Sequence, residues 1–298
     1  TLKVNKFEPP RNGLALNKAQ LQTDLEGAIQ ELSTTDKKQL EIKLPVNVTA
    51  PTKKLSDTNS IGIQEKIGFG DSQYFHSIPG RIHNVALTAS RINNTIVKPG
   101  EEFSFNKALG DVSAATGFQS AYVIKNGKTE LGDGGGVCQV STTLFRALLN
   151  GGLKITRRKP HSYRVSYYEL NSKPGVDATV YAGDTDLRFI NDTGHAILIH
   201  TQTDSQKLYM SVELYGTSDG RSAEIVDHVT WDFQPAPPAQ YIDDPSIPRG
   251  HIKQIDFAAS GIKAKFTNVI KDKNGQIIRS DEYVSNYKPW RAVYLRGI

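Results

Sequence analysis

The chain has 298 residues but only one cysteine, one methionine and two tryptophans. A single cysteine excludes an internal disulfide. That suits the cytosol, or an exported protein from an organism that avoids disulfides. No apolar run reaches the roughly 18 residues that mark a membrane-spanning helix, and no signal peptide is visible. The abrupt polar start at Thr1 fits a chain trimmed of an N-terminal anchor, and any membrane association is expected only through such an anchor. No histidine, cysteine and carboxylate cluster has metal-site spacing, and there is no phosphate loop or dinucleotide fingerprint. No metal and no cofactor is therefore expected. Nucleic-acid-binding motifs are missing too. The net charge of +5 is dispersed, apart from Arg157-Arg158-Lys159. A mild positive charge suits anionic surroundings such as a cell wall or membrane surface.

The length suggests two or three domains. Residues 1–60 read as part of a small α/β module. Asn17 is a good helix cap with Gln20 three residues on, and Leu21, Leu25, Ala28, Ile29 and Leu32 form an apolar helical stripe. Leu40, Ile42 and Leu44 then alternate as in a half-buried strand, punctuated by Pro45 and Pro51. Residues 61–220 read as one α+β domain, with helices early and strands late. Ile82, Val85, Ala86, Ala89 and Ile92 mark a helix ending near Asn93-Asn94. Phe103 and Phe105 suggest a short strand. Val165 to Tyr168, Ala178 to Tyr181, Ala196 to Ile199 and Leu208 to Leu214 read as further strands. Residues 221–241, with Pro235, Pro237 and Pro238, read as a linker. The rest, to residue 298, reads as a small all-β domain with a hairpin at Asn274-Gly275.

The cysteine stands in Gly134-Gly135-Gly136-Val137-Cys138-Gln139-Val140-Ser141-Thr142-Thr143. Val140, Leu144, Ala147 and Leu148 fall on one helical face and Gly151-Gly152 end the run. Cys138 therefore lies at a helix N-terminus, where free N–H groups and the positive end of the dipole favour thiolate. Glycines let the backbone turn sharply there and approach a ligand. This combination presents a nucleophile beside donors for an oxyanion. A buried, inert thiol is the competing reading.

A cysteine nucleophile needs a base, usually histidine. Among the seven histidines, His161 follows Lys159-Pro160 and precedes a predicted strand, a plausible active-site rim. His76 and His83 flank the second helix start. His195 and His200 face opposite sides of one strand, and His228 and His251 fall in the linker and the β domain. Asp177 either orients a histidine or is a structural carboxylate at a strand entry. Ser141, Thr142 and Thr143 either cap the helix or line the pocket.

These strings, with Arg158-Lys159-Pro160-His161-Ser162, Val176-Asp177-Ala178-Thr179-Val180, Pro99-Gly100-Glu101-Glu102-Phe103-Ser104-Phe105-Asn106 and the helix beginning Arg81-Ile82-His83-Asn84, resemble the VanW domain. The resemblance covers residues 68–216, with the motifs in order. Residues 1–60 resemble the end of the peptidoglycan-binding module that often precedes such a domain. Residues 224–298, through Tyr241-Ile242-Asp243-Asp244-Pro245, Gly250 and Gly261, resemble the small cell-wall β domain named for its five glycines. Members of the VanW family have been described as L,D-transpeptidases making 3-3 peptidoglycan cross-links. The resemblance implies Cys138 as nucleophile and His161 as general acid and base, with Asp177 as the third catalytic candidate. Gly135, Gly136, Val137, Gln139, Ser141 and Thr142 are expected to hold the oxyanion or the substrate. It implies stem peptides and cell-wall polymers as partners and a site outside the cell, on the wall or anchored facing it. The C-terminal β domain is expected to serve placement on the wall and not chemistry. Two alternatives stay open: a cysteine carboxypeptidase or amidase using water, and a wall-binding scaffold whose cysteine is structural.

Overall fold

The computed structural model describes residues 13–35, 38–49, 62–125, 128–181 and 183–298. Pro51 and the start at Thr1 lie outside them. The described residues divide into two units, 13–49 and 62–298.

In the first unit, β1 (Gly13–Leu16) leads into α1 (Lys18–Thr34), and β2 (Val46–Thr49) pairs antiparallel with β1, Leu16 opposite Val46. Asn17 caps α1 as expected, its Oδ1 accepting from the Gln20 N–H at 3.1 Å. No residue of α1 is buried; Leu25, Ile29 and Leu32 of its apolar stripe are exposed, and Leu21 and Ala28 are half-buried. The strand expected over Leu40 to Leu44 does not form, and pairing begins only at Val46. Alternation makes a strand only where a neighbour takes its backbone hydrogen bonds. Here β1 offers four residues, all taken by β2.

The second unit begins with β3 (Glu65–Gln73), α2 (Pro79–Ile92), β4 (Thr95–Val97), β5 (Glu102–Ser104) and α3 (Phe105–Leu109). β6 (Ser120–Lys125) and β7 (Lys128–Asp133) form a hairpin before α4 (Val137–Asn150). Next come β8 (Lys154–Arg157), β9 (Arg188–Ile190), β10 (Ile197–Asp204) and β11 (Tyr209–Gly216). An antiparallel sheet of order β3-β11-β10-β4 backs α4, and a smaller sheet has the order β5-β9-β8. The unit mixes helices and strands, but the strands are not confined to its second half. β3 stands in the same sheet as β11, although Gly68 and Gly70 break the apolar pattern of a strand.

Those glycines have a packing role. A Cβ on Gly70 would stand 2.4 Å from the Thr143 carbonyl oxygen and 2.5 Å from the Ala147 nitrogen. The bare backbone lets α4 lie directly on the sheet. Two residues on, with the same facing, the Ser72 hydroxyl hydrogen-bonds that of Thr143 at 2.6 Å. The expected apolar face of α4 is fully buried through Val140, Leu144, Ala147 and Leu148.

The C-terminal strands are β12 (Ser222–Gln234), β13 (Gln240–Asp244), β14 (Ile252–Asp256), β15 (Gly261–Lys271), β16 (Ile277–Tyr287) and β17 (Val293–Gly297). Two sheets result, β12-β15-β16 and β13-β17-β14, with β13 parallel to β17. The hairpin at Asn274-Gly275 joins β15 to β16 as expected. The expected linker is mostly β12, a ladder partner of β15; the prolines come just after its last residue. The first of these sheets packs on α4. Phe145 meets the edge of Tyr283 at 5.5 Å between ring centroids, and Phe266 stacks on Tyr283 at 5.1 Å. The Asn268 amide donates to the Leu149 carbonyl at 3.1 Å. One core thus continues from the first sheet through α4 into β15 and β16.

Two other expected strands take different forms. Residues 166–169 make a 3-10 turn that buries Tyr168. Residues 178–180 are extended outside any strand: the Ala178 N–H and carbonyl bond to side chains of α4, and the Thr179 N–H donates to the Lys159 carbonyl. Gly70→Ala should cost about 1–3 kcal/mol, the range for overpacking a close contact. Gly194, whose Cβ would meet nothing within 4 Å, should tolerate alanine to within about 0.5 kcal/mol. Urea unfolding midpoints of the two variants check this.

Candidate active site

Gly136 caps α4 with φ 114°, a left-handed conformation that strains any side chain. A Cβ there would also stand 3.0 Å from the Arg81 carbonyl oxygen. The turn places Cys138 second in a 14-residue helix. The first turn of a helix has no internal acceptors for its N–H groups. Val137 and Gln139 still donate, to the Gly134 and Gly136 carbonyls at 3.0 Å each. The Cys138 N–H has no acceptor among the described residues. Its half-buried Sγ lies 3.5 Å from the Thr179 hydroxyl and 3.5 Å from the Val180 carbonyl oxygen.

His161 stands in a loop after β8 and not at a strand start. The fixed φ of Pro160 precedes it, and Thr179 N–H ties the loop back by donating to the Lys159 carbonyl at 2.8 Å. The His161 backbone N–H donates to Asp177 Oδ2 at 2.9 Å, and ring Nδ1 hydrogen-bonds the same oxygen. The ring packs on Tyr168, 5.1 Å between centroids. With Nδ1 held by Asp177, Nε2 is left for the thiol. Asp177 is 4% exposed and His161 8%. A buried carboxylate requires compensation. The second oxygen of Asp177 receives it from Arg158 Nη2 at 3.1 Å and from the Tyr287 hydroxyl.

The charges follow from this geometry. Burial raises Asp177, but His161, Arg158 and Tyr287 together bring it well below the usual carboxylate range. Burial lowers His161, yet hydrogen bonding and attraction from Asp177 and Cys138 push it up to about 10. Burial raises the Cys138 thiol, and His161, with hydrogen bonds at Thr179 and Val180, outweighs this and brings it below its ordinary value. The thiolate is therefore favoured over that of a free cysteine, beside an imidazolium and a carboxylate, and the three titrate as a coupled set.

The structure thus brings Cys138, His161 and Asp177 into one cluster. The other expected residues divide. Gly135 turns its carbonyl inward to accept from Asn84 Nδ2 at 3.0 Å, and Gly136 and Val137 form the cap. The Gln139 side chain is buried, taking a hydrogen bond from Arg81 at 2.8 Å and giving one to Ser72 at 2.6 Å. Ser141 and Thr142 both donate to the Ala178 carbonyl, at 2.7 and 3.2 Å. They clamp the Asp177 segment to α4 and do not line an open pocket. His83 and His228 are tied to the carbonyls of Gly117 and Pro174. Among the described residues no group of three or more histidine, cysteine or acidic side chains could hold a metal ion. Arg158 and Thr179 lay within the strings read above without a role. Tyr287 carried no local signal, being 110 residues from Asp177.

Residues 80–213 match the family model described as VanW like protein. Over these residues the chain carries the match to that family. Cys138, His161 and Asp177 all fall within it. Uncharacterized protein YoaR of Bacillus subtilis (strain 168) is 43% identical over 130 residues, 43% of this chain and 42% of that one. Vancomycin B-type resistance protein VanW of Enterococcus faecalis (strain ATCC 700802 / V583) is 35% identical over 130 residues, 43% of this chain and 47% of that one. The VanW-like match thus spans less than half the length of either relative. Two solved structures are similar over 26% of the chain. The IgA1 protease G5 domain is 14% identical, covered to 87%, with a TM-score of 0.16. HP0197-G5 is 13% identical, covered to 97%, with a TM-score of 0.14. Superpositions this loose do not assign a fold to the C-terminal strands.

Because His161 lowers the thiol against an opposing burial effect, alkylation by iodoacetamide should reach half its plateau rate below about pH 8.5, the ordinary cysteine value. His161→Ala removes the opposing charge and leaves the burial. Its midpoint should therefore lie above about 8.5. Rates measured from pH 5 to 10, with mass spectrometry locating the label, check both.

Proposed function

We propose that the protein is a peptidoglycan L,D-transpeptidase acting through a Cys138 thioester. The observation that carries this reading is the thiol at a helix N-terminus within interaction range of a histidine whose ring Nδ1 is held by a buried carboxylate. Such a set activates a nucleophile and manages its proton. The substrate class rests on the VanW-like domain and on its resemblance to enzymes of 3-3 cross-linking. The vancomycin-resistance name of one relative supports a place in cell-wall metabolism.

In the proposed reaction the Cys138 thiolate attacks the carbonyl between a diamino acid and the terminal D-alanine of a tetrapeptide stem. The Cys138 N–H and the positive end of α4 face the developing oxyanion. His161 gives its proton from Nε2 to the departing amine, the C–N bond breaks, and D-alanine leaves. A side-chain amine of a second stem then attacks the thioester, His161 takes the proton, and the thiolate departs. One amide is exchanged for another, with no change in redox state. Asp177 keeps the imidazolium oriented through both halves. The protein is assigned to the outer face of the cell, where stem peptides are met. Its N-terminal unit and C-terminal strands are assigned to wall binding.

With tetrapeptide stems, mass spectrometry should find a 3-3 linked dimer and free D-alanine, both lost with Cys138→Ala. His161→Ala should lower turnover by roughly 100-fold or more. An excess of a D-amino acid should yield an exchanged tetrapeptide. Tripeptide and D-alanine alone, with neither dimer nor exchange, would make the protein a carboxypeptidase. Cleavage restricted to pentapeptides would overturn the donor assignment. A wild-type thiol that reacts only after denaturation would leave the scaffold reading.

A further inference from the structure

The VanW-like match ends at residue 213, yet groups beyond it reach the Cys138 cluster. The last residues of β16 and the chain just after it are fastened to the loop that bears His161. Lys288 N–H donates to the Ser162 carbonyl at 2.8 Å. The Trp290 ring stacks on Tyr163, centroids 4.4 Å apart and planes 20° from parallel. Arg158 Nη2, which holds Asp177 Oδ1 at 3.1 Å, also donates to Ser285 Oγ at 3.0 Å. The Tyr287 hydroxyl donates directly to Asp177 Oδ1. Tyr287 is 4% exposed and Ser285 1%.

We propose that Tyr287 is a positioning residue of the Cys138 site, holding Asp177 and through it His161, so that the C-terminal sheet completes the site and does not serve wall placement alone. This rests on the reading of Cys138, His161 and Asp177 as the reactive set. Tyr287 acts through Asp177 and not on substrate. The void beside it, bounded by Asp177, Gly175 and Tyr168, is about 10 Å³, room for one water at most. The phenol stays protonated, since burial and the neighbouring Asp177 charge both raise it, and it can only donate here. The ionisable and charged groups around the pair are Arg158 at Asp177, Arg146 and Arg164 within electrostatic reach of Asp177 and Tyr287, Tyr168 against the His161 ring, and Arg81 and Cys138 beyond. None of these replaces a donor on Oδ1 except Arg158, which itself leans on Ser285.

The test uses the full chain and reads Cys138 alkylation by iodoacetamide from pH 5 to 10, beside turnover of tetrapeptide stems. Tyr287→Phe removes one oxygen and keeps the ring. Asp177 loses a donor and His161 its firm orientation, so the imidazolium stabilises the thiolate less. The alkylation midpoint should rise by about one pH unit, in keeping with one hydrogen bond to a charged group. The kcat should fall by about 10-fold with KM changed less than about 2-fold. Ser285→Ala, which removes one of the acceptors of Arg158, should move the midpoint the same way by a smaller amount. Tyr283→Phe, on the same strand but packed on Phe145 and Phe266, should leave the profile in place. Asp177→Asn should move it furthest.

If Asp177→Asn moves the midpoint and Tyr287→Phe does not, the proposal is overturned while the reactive set stands. Equal shifts in Tyr287→Phe and Tyr283→Phe also overturn it, since the hydroxyl then has no particular part. Should Tyr287→Phe fail to fold by circular dichroism, Ser285→Ala decides, and an unmoved profile there rejects the idea. A wild-type thiol titrating at the ordinary value removes the reading beneath it as well, an outcome distinct from the others.

Discussion

The site depends on one buried carboxylate. Asp177 has almost no access to water, and an uncompensated charge there would be costly. Its two oxygens are satisfied by groups from three places in the chain: the backbone and ring of His161, the Arg158 guanidinium, and the Tyr287 hydroxyl. Because the carboxylate is charged and well supplied with donors, it holds His161 through both the backbone N–H and ring Nδ1. The imidazolium in turn overcomes the burial that would otherwise keep Cys138 protonated. Remove the compensation at any of these points and the same desolvation that now strengthens each contact works against the charged state.

The scaffold serves that geometry through close approach. α4 lies on β3 over Gly70, nearer than any side chain would permit. Its polar face is turned inward, with Gln139, Ser141, Thr142 and Thr143 all buried and hydrogen-bonded. These residues replace a strand: the extended run through Ala178 finds its backbone partners on helix side chains. The segment that follows Asp177 is thereby tied to the N-terminal half of α4. Rigid support of this kind is what catalytic constellations require. The C-terminal sheet closes the other end of α4 through Phe145, Tyr283 and Phe266.

A large part of this was legible locally. The Gly134-to-Thr143 string predicts a sharp turn and a helix start, and α4 begins one residue after Gly136. The N-cap of α1, the helix at α2 and the Asn274-Gly275 hairpin are equally local events, governed by backbone conformation and short-range hydrogen bonds. The misreadings share a cause. Leu40 to Leu44 alternates without a partner strand. Val165 to Tyr168 looks β-rich but turns to bury Tyr168 against His161. Residues 222–234 read as linker because of the prolines just beyond them. In each case the pattern was real, and its outcome was set by neighbours far away in the chain.

The sequence alone determined the lone nucleophile candidate, its place at a glycine-led helix start, and the histidine and aspartate strings that accompany it, because turn geometry and helix capping are short-range. Only the tertiary structure decided which oxygen of Asp177 holds which donor, that Ser141 and Thr142 serve the interior and not a pocket, and that Tyr287 reaches the cluster from 110 residues away. Side-chain hydrogen bonds act over about 3 Å in space and leave no trace in spacing along the chain. A carboxylate's partners become known only once the strands that carry them are folded against it.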